Sequence, residues 1–306
     1  MIQVVIFSFD RAMQLDLLLK SIEKFDSQKS FSINVLYACS SEKYQAAYNR
    51  TIEKYPNIHW IQEQPYKKAL YDYQFDFSYW HNLYWWLKNP IFRESKSNFK
   101  SCLLKILSNS KCPYTMFLTD DSLFYNDIII PENKLKKITQ KPEKYSFSLR
   151  HGMNIQGGFY KEEENGICWN IFENDAHTDW GCPFSVDGLI YDSKTIYRII
   201  KKIILNNPNT MEGNIGCYVT EKKIFPVIAA SLQSCLVGFE LNRVQSIYCN
   251  NNLGISHEKM NKYYLEGYNM GIDFDITNVN SFRPEIQSVF IKKENDKIEI
   301  WNPNIN

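Results

Sequence analysis

Residues 2–25 read IQVVIFSFDRAMQLDLLLKSIEKF. The first eight, Ile2 to Phe9, are β-branched and aromatic, the composition of a strand buried on both faces. From Asp10 the pattern changes. Met13, Leu15, Leu17, Leu18, Leu19 and Ile22 suit a helix laid on a sheet, with Asp10 as its N-cap. The change then repeats: FSINVLYACS (31–40) reads as a second strand, SEKYQAAYNRTIEKY (41–55) as a second helix and NIHWIQE (57–63) as a third strand. Strands alternating with helices specify a parallel α/β sheet. Ligands of such sheets bind at the C-terminal strand ends, here residues 8–11 and 39–41.

Residues 66–100 are aromatic and irregular in pattern, as in YDYQFDFSYWHNLYWWLKNP, and a helix is expected over about 98–109. A fourth strand, YTMFLTD, then runs into Asp120 and Asp121. In the second half, YSFSLRHG (145–152) and ICWNIF (167–172) read as strands, and FSVDGLIYDSKTIYRIIKKIIL (184–205) as strand, turn and helix. The apolar run 222–240 suits a helix and a strand, and the polar tail after about 276 a strand and a loosely held end. A first half at 1–130 and a second at 131–306, packed as one domain, is the expected organisation.

Composition narrows the function classes. The 306 residues are 44% hydrophobic and 23% charged, as in ordinary globular proteins. The net charge of +1 gives no electrostatic reason to expect nucleic acid. Basic runs at 134–137 and 201–202 read as solvated helix faces, with peripheral contact to an anionic membrane surface as their second reading. The eight cysteines form no CxxC pair and read as buried free thiols of a reducing compartment. The first residues have no basic n-region, and no stretch approaches bilayer-spanning length. The expected location is the cytoplasm, at the inner face of the membrane if the basic runs bind there.

Two carboxylates side by side at the end of a buried strand must be offset by something. The candidates are a divalent cation, a basic side chain, or water. Hard oxygen ligands suit Mn²⁺ or Mg²⁺, and such an ion bridges to a diphosphate and stabilises it as a leaving group.

The segment VVIFSFDRAMQLDLLLKSI resembles the first strand and helix of GT-A (Rossmann-like) glycosyltransferases of the family 2 type found in bacterial glycan synthesis. There a short T-F-N-R-like segment precedes a leucine-rich helix. MFLTDDSLF (116–124) resembles their DxD region, and the order of units agrees over residues 1–130. The resemblance implies a mostly parallel sheet flanked by helices with a mixed α+β C-terminal part, and a nucleotide-sugar donor of the UDP type. It implies Ser8 and Arg11 beneath the nucleotide, Ser40 and Ser41 at the base, and Lys100 near the donor. Asp120 falls on the ribose side and Asp121 on the metal. Two positions depart from the family: YACSS lacks the usual acid after the second strand, and Ser122 stands where a third acid often sits.

The acceptor is expected to be a glycan or lipid-linked hydroxyl. HTDWGCPFSVDG (177–188) reads as a substrate loop that, together with the aromatic block 71–86, is expected to flank the pocket. Asp187 and Asp179 are candidate bases for the acceptor hydroxyl. Glu212 is a further one, in what reads as a turn. His257 matches a C-terminal region from which some GT-A enzymes supply a metal ligand, whereas His59 reads as structural. The alternatives are a nucleotidyltransferase, disfavoured because SFDRAMQ has no phosphate-binding glycines, and a glycan-binding scaffold with a decayed site.

Overall fold

The computed structural model describes residues 1–64, 75–89, 97–244 and 252–304; residues 71–74 of the aromatic block therefore lie outside the described residues. Strand β1 (Ile2–Phe9) is buried nearly throughout and pairs in parallel with β2 (Phe31–Ala38) on one side and β4 (Tyr114–Thr119) on the other. β3 (His59–Gln62) pairs in parallel with β2. The crossovers are α1 (Ala12–Phe25) and α2 (Glu42–Lys54). Past β4 the sheet takes in β6 (Tyr145–Ser148), β7 (Lys161–Glu163), β8 (Gly166–Asn170), β9 (Leu189–Asp192) and β10 (Val227–Ala230), in the order β3-β2-β1-β4-β9-β6-β10-β8-β7. β9 runs antiparallel to both β4 and β6, so β6 and its parallel neighbour β10 point the same way as β1–β4. The architecture is thus the expected α/β class: a mostly parallel sheet flanked by helices, followed by mixed α+β structure.

The helices beyond α2 are α3 (Trp80–Lys88), α4 (Phe99–Asn109), α5 (Glu132–Gln140), α6 (Ser193–Lys202), α7 (Pro208–Glu221) and α8 (His257–Leu265). Two small sheets complete the chain. β5 (Ser122–Phe124) pairs with β11 (Leu236–Gly238), and β12 (Asn269–Phe274), β13 (Ile286–Lys293) and β14 (Asp296–Trp301) form an antiparallel meander. The core passes through the central strands, where Phe7 stacks on Phe117 at 5.8 Å and meets Phe99 at 5.3 Å. Among the described residues, no helix is long and apolar enough to cross a membrane.

Several local expectations change. Asp10 does not cap α1; it sits at φ 57° and turns its carboxylate to Ser40. The segment read as irregular contains α3. The run 222–240 holds two short strands, β10 and β11, and no helix. The supposed turn at Glu212 lies inside α7, which starts from a reciprocal Asn207–Thr210 capping box with Pro208 at its first turn. The tail is a β-hairpin. In the basic run on α5, Lys134 is only 2% exposed and holds Glu163 at 2.6 Å, so that face is not simply solvated. The seven described cysteines are free, but only Cys102 and Cys235 are buried. His59, on an edge strand, is exposed and meets Asn34 Oδ1 at 3.0 Å.

Asn82 pins α3 to the connection after α6. Fully buried, it donates to the carbonyls of Asp76 (2.7 Å) and Lys202 (2.9 Å) and accepts from the amide of Ile204 (3.0 Å). Asn82→Ala strands those backbone groups and is expected to destabilise the fold by roughly 2–3 kcal/mol. Urea unfolding checks this; an unchanged midpoint would show that water replaces the side chain.

Candidate active site

The register of β1 against β4 sets Phe7 opposite Thr119, so the Ser8–Arg11 and Asp120–Asp121 segments leave the sheet side by side. Asp120 Oδ2 accepts from Ser8 Oγ (2.8 Å) and the Phe9 amide (3.2 Å). Its Oδ1 accepts from Arg11 Nη1 at 3.0 Å, and the same nitrogen reaches Asp121 Oδ2 at 3.3 Å. Arg11 is locked from behind, with Nε on Asn242 Oδ1 (2.8 Å) and Nη2 on the Asn242 carbonyl (2.6 Å). A basic side chain therefore faces the acid pair. The two acids differ in environment. Burial pushes Asp120 up to about 6, against the pull of Arg11 and with a further push from Asp121. Asp121 keeps a quarter of its side chain exposed (25%), and its Oδ1 makes no hydrogen bond among the described residues.

These positions bear on the expected donor and metal residues. Ser8 is buried, with its hydroxyl shared between Asp120 and Tyr48 (2.6 Å). Ser40 gives its amide (2.8 Å) and hydroxyl (2.6 Å) to Asp10, tying the loop after β2 to the loop after β1. Ser41 is exposed at the start of α2. Lys100 is apart from this cluster: it is buried, and its ammonium donates to the carbonyls of Lys201 (3.2 Å) and Ile203 (2.6 Å). His257 stacks on Tyr44 at 5.7 Å beside the Asp10–Ser40 link, where its charge acts on Asp10. Among the described residues no three His, Cys, Asp or Glu side chains converge as metal ligands. Mg²⁺ and Mn²⁺ are commonly held by one or two carboxylates plus substrate phosphates, and Asp121 Oδ1 is an oxygen of that kind. Asp120, with both oxygens filled, is not.

A cleft of about 540 Å³ opens next to the acid pair, lined by Asp179, Asp187 and Glu212 together with His177, Trp180 and Arg283. Thr119, the residue before Asp120, donates to Asp187 Oδ1 at 2.8 Å, while the buried Arg150 holds Oδ2 at 3.0 Å. Burial raises the pKa of Asp187, opposed by Arg150 and reinforced by the Asp121 charge, which shows how near the cleft lies to the strand-end acids. Asp187 is followed by Gly188 at φ 83°, where a Cβ would stand 2.3 Å from Leu236; only glycine makes this turn. Glu212, in the first turns of α7, accepts from the Val186 amide at 3.1 Å. Burial and then the Asp187 charge push it up to about 7, against the pull of Val186, Ser185 and Arg150. A carboxylate balanced near neutrality in a cleft is suited to moving a proton.

The loop 177–188 lines this cleft as expected. The described part of the aromatic block packs elsewhere, with Tyr79 set edge-on against Tyr218 of α7 at 5.0 Å. Sequence reading missed Arg150, Asn242 and Tyr48. An arginine directly after the YSFSL run, where the strand turns into the RHG segment, was a usable signal for Arg150; nothing local marks the other two.

Arg11→Gln removes the cation from two carboxylates, one almost wholly buried. Breaking a buried pair typically costs about 3–5 kcal/mol. The loss is expected in full at pH 8 and should shrink towards pH 5, because protonating Asp120 removes the stranded charge. Urea unfolding at both pH values checks this, and an equal loss at each would show that Asp120 charge is not the cause.

No family model matches the chain. It is 24% identical, over an alignment of 287 residues, to the bifunctional glycosyltransferase pgtA of Dictyostelium discoideum; the match takes in 81% of this chain and 33% of the relative. The chain thus spans about a third of that relative's length. Among solved structures, S. aureus TarS 1–349 in complex with UDP-GlcNAc is 13% identical, with a TM-score of 0.43 over 80% of this chain and 59% of the other. The galactosyltransferase LgtC in complex with donor and acceptor sugar analogues is 16% identical, with a TM-score of 0.33 over 73% of this chain and 66% of the other. The glycosyltransferase likeness of the opening strand, helix and acid pair is matched by a sequence relative that is itself a glycosyltransferase.

Proposed function

We propose that this chain is a GT-A-type glycosyltransferase domain, moving a sugar from a nucleoside diphosphate, UDP favoured, to a hydroxyl of a glycan or lipid-linked acceptor. The observation that carries this reading is the junction at Thr119. One end of β4 presents a guanidinium-bridged acid pair and, through Thr119, holds a carboxylate of the adjoining acid-lined cleft. A diphosphate at the first and a hydroxyl at the second are then neighbours. Residues 1–130 supply the donor side and most of 131–306 the acceptor side, within one domain.

In this reading Arg11 and Asp120 fix the floor of the donor site, Asp121 offers its free oxygen towards the donor, and the loop at Ser40 and Ser41 borders the base. A divalent cation, Mn²⁺ or Mg²⁺, would be held by Asp121 and the donor phosphates and would stabilise the leaving diphosphate. Glu212 is the proposed base. Asp187, with both oxygens occupied by Thr119 and Arg150, is better placed to orient the acceptor and tune Glu212, and Asp179 borders the same cleft. As the acceptor oxygen bonds to the sugar's anomeric carbon, the bond from that carbon to the diphosphate oxygen breaks. The electron pair leaves with the nucleoside diphosphate, and the hydroxyl proton passes to Glu212. Free cysteines agree with a cytoplasmic location, and a lipid-linked acceptor would bring the domain to the inner membrane face.

Three measurements test this. UDP with Mn²⁺ should raise the melting midpoint by mass action, and Asp121→Asn should remove the Mn²⁺-dependent part of the rise. No response to any nucleoside diphosphate would favour a scaffold. Glu212→Gln should lower kcat by about 10²–10⁴-fold with UDP binding unchanged; equal loss of both would point to a structural role. In the wild type, kcat/KM should climb with pH through about 7 as Glu212 loses its proton, and this limb should be missing from Glu212→Gln.

A further inference from the structure

At the opposite edge of the sheet, where β4 begins, lies a larger groove of about 1380 Å³ between the ends of α4 and α5 and the start of α6. Six basic side chains line it: Lys111, Lys141, Lys144, Lys194, Arg198 and Lys223. Two acids stand among them, and both are committed. Glu143 pairs with Arg198, and Asp192 caps α6 by accepting from the Thr195 amide at 2.8 Å. The five lysines make no ion pair among the described residues. Six cations against two acids is an excess of four in a chain whose whole net charge is +1, so the rest of the molecule is net negative. Lys223 stands at φ 52°, just past the end of α7, where a glycine would be unstrained.

Clustered uncompensated charge within a concave wall focuses the field on counter-ions. The type of cation narrows the ligand. The fork of arginine matches carboxylate and phosphate oxygens bidentately, but the one arginine here is already taken by Glu143; the lysine ammoniums left over act as point charges, a mode in which lysine binds phosphate. At about 1380 Å³ the groove has room for more than one phosphate, and its six cations come from several separate stretches of chain. We propose that it binds a ligand bearing several phosphates. The site is separate from the catalytic edge, since the six-residue strand β4 sets the two about 20 Å apart. Two sources share this chemistry: a soluble polyphosphate, and the headgroups of an anionic phospholipid surface.

The test uses the full chain in two arms. One titrates sodium tripolyphosphate by calorimetry. The other sediments the protein with phosphatidylcholine vesicles, with and without phosphatidylglycerol. The wild type should bind in at least one arm, weakening steeply as salt rises from about 0.05 to 0.3 M. The double variant Lys141→Glu/Lys194→Glu should bind at least about tenfold more weakly in that arm, with the melting midpoint and UDP response of the wild type. Calorimetric binding alone assigns a soluble ligand, and binding to anionic vesicles assigns a headgroup surface. Absence of binding in both arms, equal binding by the double variant, or insensitivity to salt overturns the proposal.

Discussion

The guanidinium of Arg11 is the charge on which the strand-end acid pair depends. Asp120 is 4% exposed, and a carboxylate that deep needs a cation and hydrogen-bond donors to remain ionised. Arg11, Ser8 and the Phe9 amide supply them, and still leave Asp120 titrating at about 6 rather than 3.8. An acid whose pKa is raised by folding binds its proton more tightly in the native state. Between those two values the native state holds more protons than the unfolded chain, so this group's contribution to stability falls as pH rises from about 4 to about 6 and is constant above. The strand end therefore stores a modest electrostatic strain at neutral pH. Such strain is retained where the arrangement serves chemistry. Asn242, more than two hundred residues away in sequence, secures the guanidinium with two hydrogen bonds, so the first half of the chain cannot complete its own acid pair.

The same interdependence recurs one residue earlier. Thr119 belongs to β4, yet its hydroxyl serves Asp187 from the second half, whose other oxygen is held by Arg150. Gly188 follows in a left-handed turn packed on Leu236. The loop carrying Asp187 is thus fixed by a strand, a buried arginine and a glycine that tolerates no side chain. Glu212, on α7, closes the set by accepting from the loop's own backbone at Val186. Asp187 and Glu212, two of the acids that line one cleft, differ in environment. Asp187 is saturated with partners, while Glu212 is raised to neutrality by burial and by Asp187 itself.

The parallel half of the fold was legible because it is local. The β-branched strand and leucine-rich helix at residues 2–25 each announce their period. The small elements were not legible, because tertiary context decides them. VIAASLQSCLVG has the apolar density of a helix, but it lies between partners that need two short strands, β10 with β6 and β11 with β5. Glu212 looked like a turn residue because Gly213 follows it; the capping box at Asn207 and Thr210 was the stronger signal, and it starts a helix. At the site, adjacency of Asp120 and Asp121 was plain, while their partner was an open choice among ion, side chain and water. Arg11 was within view, but the family resemblance placed it beneath a nucleotide. Only the turn after β1, with Asp10 diverted to Ser40, brings its guanidinium back over β4.

The charge balance of the edge explains why an acid pair already neutralised by arginine would still call for a divalent cation. Asp120, Asp121 and Asp187 carry three negative charges when ionised, and Arg11 and Arg150 return two. Both guanidiniums are spent on carboxylates, Arg150 buried and Arg11 with only a tenth of its side chain exposed, and both are held by further hydrogen bonds, so neither is free to turn towards a phosphate. A diphosphate brings at least two more negative charges to an edge that is already net negative, and within a few ångströms such charges repel by kilocalories even at an effective dielectric of about 20. Protonating Asp120 relieves one charge only, and only below about pH 6. A cation on the open oxygen of Asp121 relieves two at neutral pH and does so on the solvent side, where the donor arrives. Arg11 is then the fixed counter-ion that lets the acid pair exist in the fold, and Asp121 Oδ1 is the oxygen of the pair that the proposed function would use.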